Sequence, residues 1–197
     1  METPYVVRSH AASQLHEEMP CWEFSHPVEK SGMCVRDSAK DVDNERSAQV
    51  TFQIDKDSGR KYGSGYQEQN DKLMQQLLKS SKEAGKDSLK TNIIHGFLGT
   101  FHCTLYRSVA GGEEKASTIS IAPNTFSIGM FSWFPLYFPL REPQVVPQGS
   151  NVRCNIWRRC DEGRVWYEWC SEIFHEKNIV AVSNVHNPNG RSCFVRL

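Results

Sequence analysis

The sequence predicts a mainly β chain: an antiparallel β-barrel or sandwich, incomplete, carrying a charged, partly disordered or helical insertion. Three observations carry this reading. From residue 93 onward, short runs with two-residue alternation recur, each bounded by turn residues. Aromatics concentrate in the same region, where residues 93–197 hold 15 of the 21. By contrast, residues 29–92 hold 23 of the 46 Asp, Glu, Lys and Arg side chains but only Phe52, Tyr62 and Tyr66 among the aromatics. That stretch cannot bury much apolar surface and reads as an insertion within a β domain.

Two elements stand out inside the insertion. Ala48 to Ile54 alternates with period two, as a half-buried strand does, and Asp55-Lys56-Asp57-Ser58-Gly59 supplies a turn. Gln67 to Ala84 is rich in helix formers, with Leu73, Met74, Leu77 and Leu78 at helical spacing and Gly85 as a stop, so a surface helix is expected there. Next, Ile93 to Tyr106 reads as one long strand or two, with Gly96 and Gly99 marking a bulge or bend. Ser117 to Ile121 is a short strand. In Asn151 to Arg158, alternation places Val152, Cys154 and Ile156 on one face. Asp161-Glu162-Gly163 gives the hairpin turn into Arg164 to Cys170. Ile179 to Val182 is another strand, and Asn187-Pro188-Asn189-Gly190 is a strong turn before a last strand, Arg191 to Leu197.

Length and charge narrow the function. A chain of 197 residues can bury one core. Lys plus Arg and Asp plus Glu number 23 each, which argues against a dedicated nucleic-acid or membrane-surface binder. No apolar run approaches the ~20 residues that span a bilayer, and Met1 to Arg8 lacks the pattern of a signal peptide, so the chain reads as intracellular. The seven cysteines are odd in number and scattered, so a disulfide framework is not expected.

Enzyme signatures are absent. There is no G-x-G-x-x-G, P-loop, G-x-S-x-G or H-E-x-x-H. Cys21, His26 and Cys34 only weakly suggest a metal site, because their spacing matches no common zinc pattern and a fourth ligand is not obvious. Cys154, Cys160 and Cys170 read as packing residues. The pairs Glu17-Glu18 and Glu113-Glu114 sit in polar surroundings and read as solvated surface. The histidines are dispersed and form no order with serine and aspartate.

The most informative stretch is Gly129 to Leu140, with Phe131, Trp133, Phe134, Tyr137 and Phe138 crowded between and around Pro135 and Pro139. Each proline lacks an N–H, so the run is expected as a stiff, extended loop or edge rather than a central strand. Aromatics so placed either plug a core or line a recognition site.

Four blocks, in order, resemble the carboxyl-terminal part of the protein arginine methyltransferase 5/Skb1 family, the type II, symmetric-dimethylating enzymes. They are Pro4-Tyr5-Val6-Val7-Arg8 with Phe24-Ser25-His26-Pro27, then His95-Gly96-Phe97, then Gly129 to Pro135, and finally Val165-Trp166-Tyr167-Glu168-Trp169 with His186 to Ser192. The resemblance covers about 1–28 and 93–197, and the stretch 29–92 is longer than the family's usual connection. It implies that residues 1–197 are a C-terminal β-barrel and oligomerisation domain of an S-adenosylmethionine-dependent transferase. It further implies that Trp133 packs on the substrate arginine, with Phe131, Ser132 and Phe134 shaping that wall. A guanidinium is planar, weakly hydrated and cationic, so an aromatic face suits it.

The family's glycine-rich cofactor motif and its paired glutamates are expected upstream of Met1. Accordingly, no catalytic residue, no metal and no S-adenosylmethionine binding are expected of this chain alone. Arginine-containing proteins (in the family, histones and spliceosomal proteins), a homo-oligomer, a WD-repeat partner bound outside this region, and a cytoplasmic and nuclear location are the remaining implications. A non-catalytic β binding or dimerisation module is the alternative reading.

Overall fold

The computed structural model describes residues 2–8, 12–24, 45–55, 60–62, 91–110, 113–130 and 132–196. In chain order the strands are β1 (Tyr5–Val6), β2 (Ala12–Gln14), β3 (Arg46–Ile54), β4 (Arg60–Tyr62), β5 (Thr91–Gly99), β6 (His102–Ala110), β7 (Glu113–Ser120), β8 (Leu136–Pro147), β9 (Ser150–Cys160), β10 (Arg164–His175), β11 (Asn178–Val182) and β12 (Val195–Arg196). All pairings named here are antiparallel. One sheet has the order β1-β8-β5; the largest has the order β11-β10-β9-β3, with β12 also on β10. β2 pairs with β4, and β6 with β7. Among the described residues no sheet closes into a barrel, so the architecture is that of a sandwich or an open barrel. The helix expected over 67–84 and the metal candidates His26 and Cys34 lie outside the described residues.

The core lies between the two larger sheets. Ile54, Val152, Cys154, Ile156, Trp169 and Ile173 come from one, and Ile94, Phe138, Leu140 and Val146 from the other. The alternation in β9 does what its spacing predicts: Val152, Cys154 and Ile156 are all buried. β3 lies within the charged 29–92 stretch yet belongs to the core sheet. It pairs with β9 from Arg46 opposite Arg158 to Ile54 opposite Ser150, and buries Val50 and Ile54. Apolar residues at alternate positions suffice to enlist a strand from an otherwise polar segment.

Of the two readings of residues 93–106, the structure has the two-strand one, β5 and β6. Three sequence expectations need adjustment. The expected strand from Arg191 to Leu197 shrinks to Val195–Arg196, because residues 191–194 follow the 3-10 turn Pro188–Gly190 as irregular chain. β10 runs on to His175, past the expected end at Cys170. The aromatic run is not all loop or edge, since Leu136 to Leu140 opens β8, the middle strand of its sheet.

Pro139 is tolerated inside β8 for a local reason. β1 runs beside β8 only at Leu136 and Tyr137, so one side of the strand at Pro139 is free of a ladder partner among the described residues. On the other side the register shifts between Ile94 opposite Gln144 and Gly96 opposite Pro139, which leaves Pro143 within a bulge. Proline within sheets is confined to such edges and bulges. Gly96 is required at this bend, because a Cβ there would press on the Phe138 carbonyl oxygen and lie 2.7 Å from Tyr137 Cε2.

Candidate functional site

The aromatic run divides at Pro135. Downstream, Phe138 is buried and meets Trp169 edge to face, with ring centroids 5.4 Å apart at 69°. Upstream, Trp133 is 58% exposed. Its backbone is held in successive turns, with Met130 N–H donating to Ser127 O at 3.3 Å and Trp133 N–H to Met130 O at 3.1 Å. Gly129 enters these turns with φ 97°, a conformation that favours glycine.

The turns rest on Ser120, which is 1% exposed. Its hydroxyl donates to Phe101 O at 3.2 Å, accepts from Ala122 N–H at 3.0 Å and meets Thr125 Oγ1 at 2.9 Å. The Ser120 N–H donates to Ser127 Oγ at 3.0 Å, and Ser127 N–H donates back to Ser120 O at the same distance. A buried polar group with every partner supplied makes a rigid node. The node also fixes Phe101, whose ring packs edge-on against Trp133 at 5.5 Å and 75°. One edge of the indole is thus held while the side chain as a whole stays open to solvent.

The sequence-predicted wall residues fall as follows. Ser132 is exposed and Phe134 half-buried beside Trp133. Phe131 lies outside the described residues. Sequence reasoning missed Arg8 as a site neighbour: its guanidinium carbon lies 4.6 Å from the centroid of the Phe134 ring. Nothing in the spacing of residues 8 and 134 could have paired them.

Further along β8 lies a second construction. Trp169, fully buried, donates from Nε1 to Pro139 O at 2.9 Å and stacks on His186 at 5.3 Å and 12°. His186 Nε2 accepts from the N–H of Arg141 in the β8 bulge at 2.9 Å, which leaves Nδ1 as the donor to Trp169 O at 3.2 Å. Burial pushes the His186 imidazole below its usual range, against the Nδ1 bond to Trp169 O, which raises it, and the bond accepted at Nε2 requires the neutral ring. The next residue, Asn187, is wholly buried with φ 52°. Its amide donates to Tyr167 O at 2.9 Å and Cys193 O at 2.8 Å, while Oδ1 accepts from Ser192 and Cys193 N–H at 2.9 and 3.0 Å. All four of its hydrogen-bonding positions are filled.

Glu2 ties the N-terminal segment to the same turn through Arg191, with Nη2 to Oε2 at 2.7 Å. That hydrogen bond holds the Glu2 carboxyl below the usual carboxylate range.

Among the described residues no nucleophile emerges. Ser150 and His175 Nδ1 meet at 3.1 Å, but Ser150 is wholly buried and closed to substrate. Burial pushes the Cys154 and Cys170 thiols up, which keeps them protonated and inert. Cys21 is exposed, and among the described residues no group of three or more His, Cys, Asp or Glu is placed to hold a metal ion. The described residues here bring together an open indole, a half-buried phenyl ring and an exposed guanidinium.

The model of a family described as the PRMT5 oligomerisation domain matches residues 66–195. Protein arginine N-methyltransferase 5 of Xenopus laevis is 32% identical over 197 residues, all of this chain and 22% of its own length. The enzyme of the same name from Oryza sativa subsp. indica is 30% identical over 196 residues, again 22% of its length. Protein arginine N-methyltransferase skb1 of Schizosaccharomyces pombe is 37% identical over 108 residues, 51% of this chain and 16% of the relative. The chain thus spans about a fifth of the length of the first two relatives. With two thirds of its residues under the family model, the chain belongs to the PRMT5 oligomerisation domain family.

Proposed function

We propose that this chain serves a protein arginine methyltransferase as its β portion, presenting Trp133 as the wall for a substrate arginine and contributing a self-association surface. The observation that carries the reading is the exposed indole of Trp133 on turns braced by the buried Ser120 node. An aromatic held rigid before the ligand arrives loses little entropy on binding. The relatives named above are arginine methyltransferases, and the family description names oligomerisation. Transfer to an arginine nitrogen, and its symmetric outcome, belong to the same proposal.

S-adenosylmethionine, which the family implies, carries a ribose and an amino-acid tail. The described residues at the wall are Ser132, Trp133, Phe134 and Arg8, with no carboxylate for ribose hydroxyls and no glycine-rich turn among them. These residues do not fit that group. Their part is to orient the guanidinium: an arginine stacked on Trp133 has its terminal nitrogens fixed in a plane, which limits the directions from which a methyl group can arrive.

The test is titration with a short peptide bearing one arginine, and with its lysine counterpart, followed by calorimetry. The arginine peptide is expected to bind more tightly, and Trp133→Ala to weaken it about two- to thirty-fold. Equal binding by the variant would sink the reading. Sedimentation at rising concentration checks self-association, which requires the mean mass to climb above that of one chain.

A further inference from the structure

We propose that Arg8 is the positioning and specificity residue of the arginine wall, an inference that rests on the reading of Trp133 above. The backbone leads to it step by step. Tyr5 lies opposite Tyr137 and Val6 opposite Leu136, then Val7 N–H donates to Pro135 O at 3.0 Å. The next residues on the two segments are Arg8 and Phe134, and there the guanidinium covers the ring. The first residues of β1 and the aromatic run thus close like a zip, and a cation–aromatic contact ends it.

Two consequences follow from Arg8 at this place. Its guanidinium occupies one face of Phe134, which fixes that ring and leaves Trp133 as the open aromatic surface for an incoming arginine. Its charge also stands one residue from Trp133. A peptide that brings a second cation beside its target arginine is repelled, whereas an acidic neighbour is attracted. Lysine could keep the charge but not the stacking, because a compact, strongly hydrated ammonium lies poorly on a ring.

The probes are three short peptides centred on one arginine, flanked by glycine, by glutamate or by lysine, titrated into the unmodified chain, Arg8→Met, Arg8→Lys and Trp133→Ala. At low salt the unmodified chain is expected to prefer the glutamate-flanked over the lysine-flanked peptide about two- to five-fold, with the preference shrinking as salt rises. Arg8→Met should bring that ratio to near one. Arg8→Lys should keep the ratio while losing about two- to five-fold in affinity for the glycine-flanked peptide.

An unchanged ratio in Arg8→Met, or a salt-independent ratio in the unmodified chain, overturns the role of Arg8 while leaving Trp133 standing. The salt series needs no variant to fold. If Trp133→Ala binds all three peptides as the unmodified chain does, or the unmodified chain binds none, the wall reading falls and this inference falls with it.

Discussion

Trp133 and Phe138 belong to one aromatic run, yet they serve opposite ends. Phe138 points into the sandwich, where Tyr167 and Trp169 meet it edge to face. Trp133 touches Phe101 with an edge and leaves more than half of its surface in water. What separates them is the entry into β8: once Leu136 pairs with β5 and β1, alternation sends every second side chain inward. Before Pro135 no ladder dictates direction, and the Ser120 node sets it instead. An aromatic this exposed contributes little to folding, and the proposed recognition role gives it another use.

That contrast can be broken at its buried end first. Trp169→Ala empties the centre of the core and orphans the Pro139 carbonyl, so a loss of ~3–5 kcal/mol in urea unfolding is expected. Asn187→Ala strips four hydrogen bonds from a wholly buried site and places alanine at φ 52°. A loss of ~2–4 kcal/mol is expected, read by the same method. Retention of wild-type stability by either variant would show that its buried network is not structural.

The effect of pH is smaller. His186 has a folded-state pKa below its unfolded value of about 6.5, so the unfolded chain binds the proton first. Stability is therefore expected to be full above that value and to decline as pH falls from it towards the folded-state value. A thermal midpoint that is flat or rising on acidification across that window would contradict the assignment of the neutral ring. The smallest change is expected at the exposed end. Trp133→Ala should alter unfolding stability by no more than ~0.5 kcal/mol, in keeping with a surface position. A large loss would return Trp133 to the core and dissolve the contrast.

Much of the fold was legible because local rules and burial agreed. The face Val152–Cys154–Ile156, the bend at Gly96 and the turn at Asp161–Gly163 each follow from one short-range cause. Asp161 accepts from Gly163 N–H at 3.1 Å and holds Arg164 Nη2 at 2.6 Å, as a turn aspartate can. The β10–β11 turn was not legible. His175 lies opposite Asn178, so Glu176 and Lys177 form a two-residue turn at φ 48° and 68°, where glycine or asparagine would have signalled it.

Pro139 misled for a related reason. A proline excludes a ladder partner on one side only, and the sequence does not say where β1 stops. At the site, Trp133 was visible as an aromatic among prolines. Arg8, the Ser120 node and the partners of His186 were not, because each joins residues distant in the chain.

Those distant pairings also bear on how quickly the chain assembles. β9, β10 and β11 are successive hairpins that can form from neighbours, whereas β3 must find β9 across the interval from Arg46 to Arg158, and β1 must find β8 across a longer one. Closing such loops costs entropy before any contact rewards it. The hairpins are expected to gather early, with the first strand arriving last. The proposed arginine wall, which in that reading needs Val7 and Arg8 in place, would then be complete only when the slowest step of folding is over.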